Sequence, residues 1–148
     1  MTIIEAINRI DAVKPNSYPQ GEKIRWLNTL DSMVKEKVID THECAESVKF
    51  EGYAEDTNLS TDLLVPAPYD EMYLFWLESK IDYYNGETGR YNNSISMFNT
   101  AYAEYERYYN RTHMPMGKKV KYFGNADQFN DIVSQSANAV ARVTIEEV

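Results

Sequence analysis

Three residues of metal-ligand type stand together at His42-Glu43-Cys44, and the second of the chain's two histidines is His113. Neighbouring residues rarely converge on one ion, and no second cysteine–histidine pair occurs at zinc spacing. A helical bundle can also hold two metals through Glu-x-x-His motifs on two helices. Glu43 and Glu46 have that spacing, but no glutamate precedes a histidine by three residues. We therefore expect no bound metal.

Other catalytic motifs are equally sparse. Gly86 and Gly89 enclose only two residues and lack the downstream lysine of a phosphate-binding loop, so they indicate a turn between helices. No Gly-x-Ser-x-Gly elbow occurs, and the 23 acidic residues are scattered. We expect no catalytic residues, no cofactor and no enzymatic activity. The alternative is a site built from acids that are distant in the sequence, which a metal bound to the purified protein would indicate.

Charge and cysteine usage restrict the partners. A net charge of −8 repels phosphate backbones, so we expect no sequence-specific nucleic-acid binding. The sequence contains no run of 18 apolar residues and no signal peptide. We therefore expect no membrane span and no secretion. The single cysteine, Cys44, forms no internal disulfide and fits a reducing cytoplasm.

Helical periodicity dominates the chain and predicts a mainly α fold of about four helices in a small bundle. A capping box at Thr2–Glu5 opens the first helix, and an amphipathic helix follows over about 22–39. Residues 41–67 alternate around Val48–Phe50 and Asp62–Val65, which predicts a two-stranded hairpin or arm between helices 2 and 3. Two further helices are predicted over about 68–85 and 89–110.

The domain organisation predicted from this pattern is a helical domain, residues 1–117, and a C-terminal extension. The extension, residues 118–148, has looser composition, and we expect it to be mobile or ordered by a partner.

Tyrosine is unusually frequent, with 12 tyrosines against 5 phenylalanines. Its ring buries a large area while its hydroxyl stays hydrated, which suits a surface covered only when a partner arrives. The alternative is that the rings complete the core of the bundle. The aromatic seam from Tyr91 to Tyr109 favours core packing against the preceding helix. The helix over 69–84 is apolar on more than one side, so it is either central or partner-facing.

Two stretches carry a resemblance to a known group of proteins. "LLVPAPYDEMYLFWLESKIDYYNGETGRYNNSISMFNTAYAEYERYYNRTHMP", residues 63–115, and "KPNSYPQGEKIRWLNTLDSMVKEKVIDTHE", residues 14–43, are similar to a small protein family of siphophages and prophages of Firmicutes. That family resembles the helical head–tail connectors, or adaptors, of tailed phages. The resemblance implies a structural virion protein that assembles into a ring and contacts the portal and other neck or tail proteins. It also implies residence in the host cytoplasm during assembly.

The resemblance and the rings together predict the residues that contact partners. They are Tyr53, Leu63, Leu64, Val65, Tyr69, Tyr73, Trp76 and Tyr83. Two other functions stay open at this point: another tail-assembly protein, or a small cytoplasmic prophage protein that regulates or binds a host factor.

Overall fold

The structure is a computed structural model that describes residues 1–117. Its elements are α1 (Ile3–Val13), α2 (Gln20–Lys37), α3 (Met72–Asn85) and α4 (Thr88–Thr112), with short 3-10 turns at Ile39–Thr41, Ala45–Ser47 and Tyr69–Glu71. The mainly α, four-helix prediction is confirmed for this part of the chain. The extension predicted for 118–148 lies outside the described residues.

The first helix begins as its sequence predicts. The Thr2 hydroxyl accepts a hydrogen bond from the Glu5 backbone N–H at 3.3 Å, and the Thr2 N–H donates to the Glu5 carboxylate at 2.8 Å. This capping box satisfies two N–H groups that the helix itself leaves unpaired. The face of α1 that is buried against α2 and α3 consists of Ile3, Ala6, Ile7 and Ile10.

The central element of the bundle is α3, which packs against α1, α2 and α4. Tyr73, Leu77 and Ile81 are fully buried along it. The sequence left open whether this helix is central in the bundle or faces a partner. For most of its length it is central. Its last turn differs, because Tyr83 and Tyr84 are exposed.

A tight turn joins α3 to α4. Gly86 has φ of +74°, a conformation that glycine adopts without the steric cost a Cβ would bring, and it ends α3.

The predicted seam on α4 is buried at Phe98, Tyr105 and Tyr109 but only partly covered at Tyr91. With 25 residues against 14, α4 is about 16 Å longer than α3, so α3 does not cover all of it.

The predicted hairpin in residues 41–67 is wrong, because no strand is found among residues 1–117. The alternation at the end of this segment is real, since Leu63 and Val65 are buried and Leu64 is less so. The backbone, however, bends at Leu64 and Val65 and has no partner strand. The Leu63 N–H donates to the carbonyl of Met1, which is distant in the sequence, at 3.0 Å. Two isolated bridges are the β-type pairing of residues 41–67 in the described part of the chain, between Thr2 and Asp62 and between His42 and Pro115.

Candidate interaction surface

The predicted partner-contact residues are buried, partly buried or exposed in the structure. Leu63, Val65, Tyr73 and Trp76 belong to the hydrophobic core of the subunit. Three others are partly buried, namely Tyr53, Leu64 and Tyr69. In contrast, Tyr83 is 61% exposed. Of the predicted residues, Tyr83 is therefore the most exposed, whereas Leu63, Val65, Tyr73 and Trp76 are buried within the bundle.

Four of the predicted residues meet at one buried acid, Asp31 of α2. The Tyr53 hydroxyl donates to its carboxylate at 2.5 Å, the Leu64 N–H at 3.1 Å, and the Tyr73 hydroxyl donates as well. The Tyr73 hydroxyl in turn accepts from the Val65 N–H at 2.9 Å. We call this group the Asp31 network, and it fastens the extended segment before α3 to both α2 and α3.

Burial decides the electrostatics of the Asp31 network. Asp31 is 0% exposed and forms no salt bridge among residues 1–117. Desolvation raises its pKa above the ordinary value, and the three donors counteract only part of that rise. Burial and the nearby carboxylate also raise the pKa of Tyr53 and that of Tyr73, so both hydroxyls stay protonated donors. The network is therefore suited to holding the segment in place.

Asp31 is not among the residues that the sequence predicts to contact partners. A signal for its burial nevertheless lies in the spacing, because Asp31 follows Leu27 by four residues and precedes Val34 by three. That spacing puts the acid within the apolar stripe. An acid in such a stripe requires nearby donors. Tyrosines distant in the sequence provide two of them, which periodicity within one helix does not reveal.

Tyr69 lies in a second aromatic group, at the start of α3. Its ring stacks on Tyr108 at a centroid distance of 4.7 Å and approaches Tyr105 at 6.0 Å. Tyr105 is 1% exposed, so this group joins the turn before α3 to the second half of α4. Its role in the subunit is packing.

A row of rings crosses the subunit at the last turn of α3, and we call it the aromatic surface: Tyr18, Trp26, Tyr84, Tyr83 and Tyr91. Successive ring centroids are 5.5, 5.6, 5.2 and 5.7 Å apart. Tyr83 and Tyr84 are 61% and 56% exposed, whereas Trp26 is buried beneath them. Such spacings are typical of favourable aromatic pairs, so the exposed rings are in contact with one another within the folded chain.

Beside the aromatic surface, Asp82 anchors the base of α3. Its carboxylate is fully buried, accepts from the Ser94 hydroxyl at 2.7 Å and forms an ion pair with Lys14. Burial alone would raise the pKa of Asp82, but the hydrogen bonds from Lys14 and Ser94 outweigh it and hold the pKa below its ordinary value. The last turn of α3 is thereby tied to both α1 and α4.

The two histidines pack on the ring of Tyr109. His42 is buried, and its Nδ1 lies 2.7 Å from the Val38 carbonyl oxygen. Tyr109 lies between the two histidines, edge-on to His42 at 4.9 Å and stacked on His113 at 3.8 Å. Cys44 is exposed. Within residues 1–117 no group of three or more potential ligands is placed to hold a metal ion.

Comparisons of the chain with protein-family models, curated proteins and solved structures give no match. None of the helices in residues 1–117 is long and apolar enough to cross a membrane. The function is therefore inferred from the chain's own surface and from the resemblance described above.

Proposed function

We propose that this chain is a structural, non-enzymatic component of the head–tail connector of a tailed phage. It forms a ring with copies of itself on the portal, contacts other neck or tail proteins, and resides in the virion after assembly in the host cytoplasm. The observation that supports an assembly role is the aromatic surface, with its ordered and exposed tyrosines. The resemblance over residues 14–43 and 63–115 selects the connector among assembly proteins.

Exposed tyrosines suit a surface that is wet before assembly and dry afterwards. Interface cores are enriched in tyrosine and depleted in charged residues, and each aromatic side chain contributes roughly 150–250 Å² of buried area. Because Tyr83 and Tyr84 are already held by ring contacts, docking immobilises little additional side-chain freedom. The surface therefore favours a protein partner.

A connector acts by holding its contact surfaces in a fixed arrangement. The bundle and the Asp31 network supply a body that presents the aromatic surface at a fixed angle, and symmetric repetition of that contact closes a ring. The net charge of −8 on each subunit also affects the passage of DNA through the ring. Acids that face the channel of such a ring would repel the phosphates of passing DNA, so the DNA would slide without adhering.

Deletion of the gene from its phage, followed by electron microscopy of the lysate, tests the proposal. The expected result is DNA-filled or leaking heads beside separate, finished tails, with joining restored by added purified protein. Normal infectious particles would overturn the connector function and favour a regulatory or host-binding prophage protein. Lysates without finished tails would overturn it in favour of tail assembly.

Point variants link the phenotype to the aromatic surface. Tyr83→Asp places a charge among exposed rings, and we expect it to fold but to fail in restoring joined particles. Val13→Asp is the matched control, since Val13 is 74% exposed and lies outside the aromatic surface. A connector whose joining is unaffected by Tyr83→Asp would exclude the aromatic surface as its contact.

A further inference from the structure

A groove between α3 and α4 is lined by a cation that forms no salt bridge within residues 1–117. We call it the Lys80 groove. Its volume is about 170 Å³, and its walls are Trp76, Ser79, Lys80, Tyr83, Tyr91 and Ile95. The Lys80 Nζ lies 4.4 Å from the centre of the Trp76 ring. The groove thus combines one ammonium group on the Trp76 ring with two further rings and an aliphatic side chain, and no acid is among its lining residues.

Lys80 differs from the other cations in the described part of the chain. It is partly buried but forms no salt bridge there, whereas the other unpaired cations of residues 1–117 are exposed: Lys37, Lys49, Arg107 and Arg111. Burial lowers the pKa of Lys80, which indicates that its charged form lacks full solvation. The ring of Trp76 compensates only partly, because a cation–π contact is weaker than a charge-assisted hydrogen bond. A carboxylate would supply the missing partner.

A second cavity continues the Lys80 groove toward the turn between the helices. It has a volume of about 300 Å³, and Tyr83 and Tyr91 line both spaces. Asp82 also lines it, but that carboxylate is already engaged by Lys14 and Ser94. Tyr83 and Tyr91 therefore offer ring surface that is shared between the second cavity and the Lys80 groove.

We propose that the Lys80 groove binds an acidic segment of a partner protein, with a carboxylate on Lys80 and a neighbouring aliphatic or aromatic side chain between Tyr83 and Tyr91. One isolated ammonium matches a segment with a single carboxylate, and the chain's net charge of −8 disfavours a partner with many negative charges, such as nucleic acid. The inference rests on the proposed assembly role only in taking the occupant to be a protein.

Selection from a random dodecapeptide library against the purified full-length protein tests this inference without any phage. We expect enriched peptides to carry Asp or Glu within two residues of a Leu, Ile, Phe or Tyr. Lys80→Gln should weaken the best of them about tenfold in fluorescence anisotropy, which corresponds to about 1.4 kcal/mol. Lys49→Gln, which changes the net charge equally at an exposed position, should leave affinity unchanged. Enrichment of peptides without acids, no enrichment, or equal weakening by both variants would overturn the inference.

The two tryptophans report where the peptide binds. The Trp76 Nε1–H donates to the Trp26 carbonyl at 2.7 Å, whereas the Trp26 Nε1–H has no partner among the described residues, so their NMR signals should separate. Titration with the selected peptide should shift the signals of Trp76 and the Lys80 amide. Saturating shifts confined to other residues would place the peptide elsewhere and overturn the inference. If the peptide experiments fail but the gene deletion gives separate heads and tails, the Lys80 groove is not a binding site and the proposed connector function still stands.

Discussion

The substitution Tyr73→Phe tests the Asp31 network most directly. It removes a hydroxyl that donates to the Asp31 carboxylate and accepts from the Val65 N–H. A lost hydrogen bond to a charged group costs about 1.5–3 kcal/mol, and a buried N–H left unpaired costs about 1–3 kcal/mol. We expect the free energy of unfolding to fall by about 3–5 kcal/mol at neutral pH. Tyr53→Phe removes a single donor at a half-buried site, so about 2 kcal/mol is expected there.

The cost of Tyr73→Phe should also depend on pH, with a sign fixed by Asp31. A carboxyl whose pKa is raised in the folded protein stabilises the fold fully below its unfolded pKa. That contribution is lost as the pH rises through the folded pKa. Removing the Tyr73 donor raises the folded pKa further, because that hydrogen bond lowers it. The variant should therefore lose more stability relative to the wild type at neutral pH than near the ordinary carboxyl pKa.

Urea unfolding followed by circular dichroism, at about pH 4 and about pH 7.5, measures both effects. At the lower pH we expect a smaller cost, because a protonated carboxyl accepts a weaker hydrogen bond than a carboxylate, while the unpaired Val65 N–H still costs about 1–3 kcal/mol. In an Asp31→Asn background the pH dependence of the Tyr73→Phe cost should disappear, as a double-mutant cycle would show. Equal costs at both pH values in the wild-type background, or a larger cost for Tyr53→Phe, would refute the assignment of Asp31 as the centre of the network.

Three further predictions concern the last turn of α3. Asp82→Asn should cost about 3–5 kcal/mol at neutral pH, because Lys14 loses its buried partner. Since the pKa of Asp82 is lowered in the fold, that stabilisation is present above the ordinary carboxyl pKa and lost as the pH falls through the folded value. The variant and the wild type should thus converge in acid unfolding curves, and a constant difference would contradict the ion pair. Gly86→Ala should lower the free energy of unfolding by about 1 kcal/mol through its positive φ, with no steric clash, and a neutral result in urea titration would argue against the left-handed turn. Tyr83→Asp should change the free energy of unfolding by less than about 1 kcal/mol by the same assay, and a larger loss would place its ring in the core.

The features that the sequence predicts well are those set by neighbours along the chain. The capping box at Thr2–Glu5 and the glycine turn at Gly86 follow from local chemistry, and both are observed. The error at residues 41–67 has a physical cause. Alternating apolar residues report burial of one side of an extended segment, but they do not report what satisfies its backbone. Here the Asp31 carboxylate receives the Leu64 N–H and the Tyr73 hydroxyl receives the Val65 N–H, so no strand partner is required.

The same limit explains why the tyrosine excess did not distinguish core from interaction surface. A tyrosine hydroxyl has two uses in this chain: those of Tyr53 and Tyr73 donate to a buried carboxylate, whereas Tyr83 and Tyr84 are largely solvent-exposed. Removing the hydroxyl of Tyr53 or Tyr73 deprives a buried polar group of a hydrogen-bond partner. Removing the hydroxyl of Tyr83 or Tyr84 replaces one exposed group by another. The side chain is the same in both cases. The fold separates them by bringing Asp31 of α2 to Tyr53 and Tyr73, a contact between distant parts of the chain that the number and spacing of the rings do not predict.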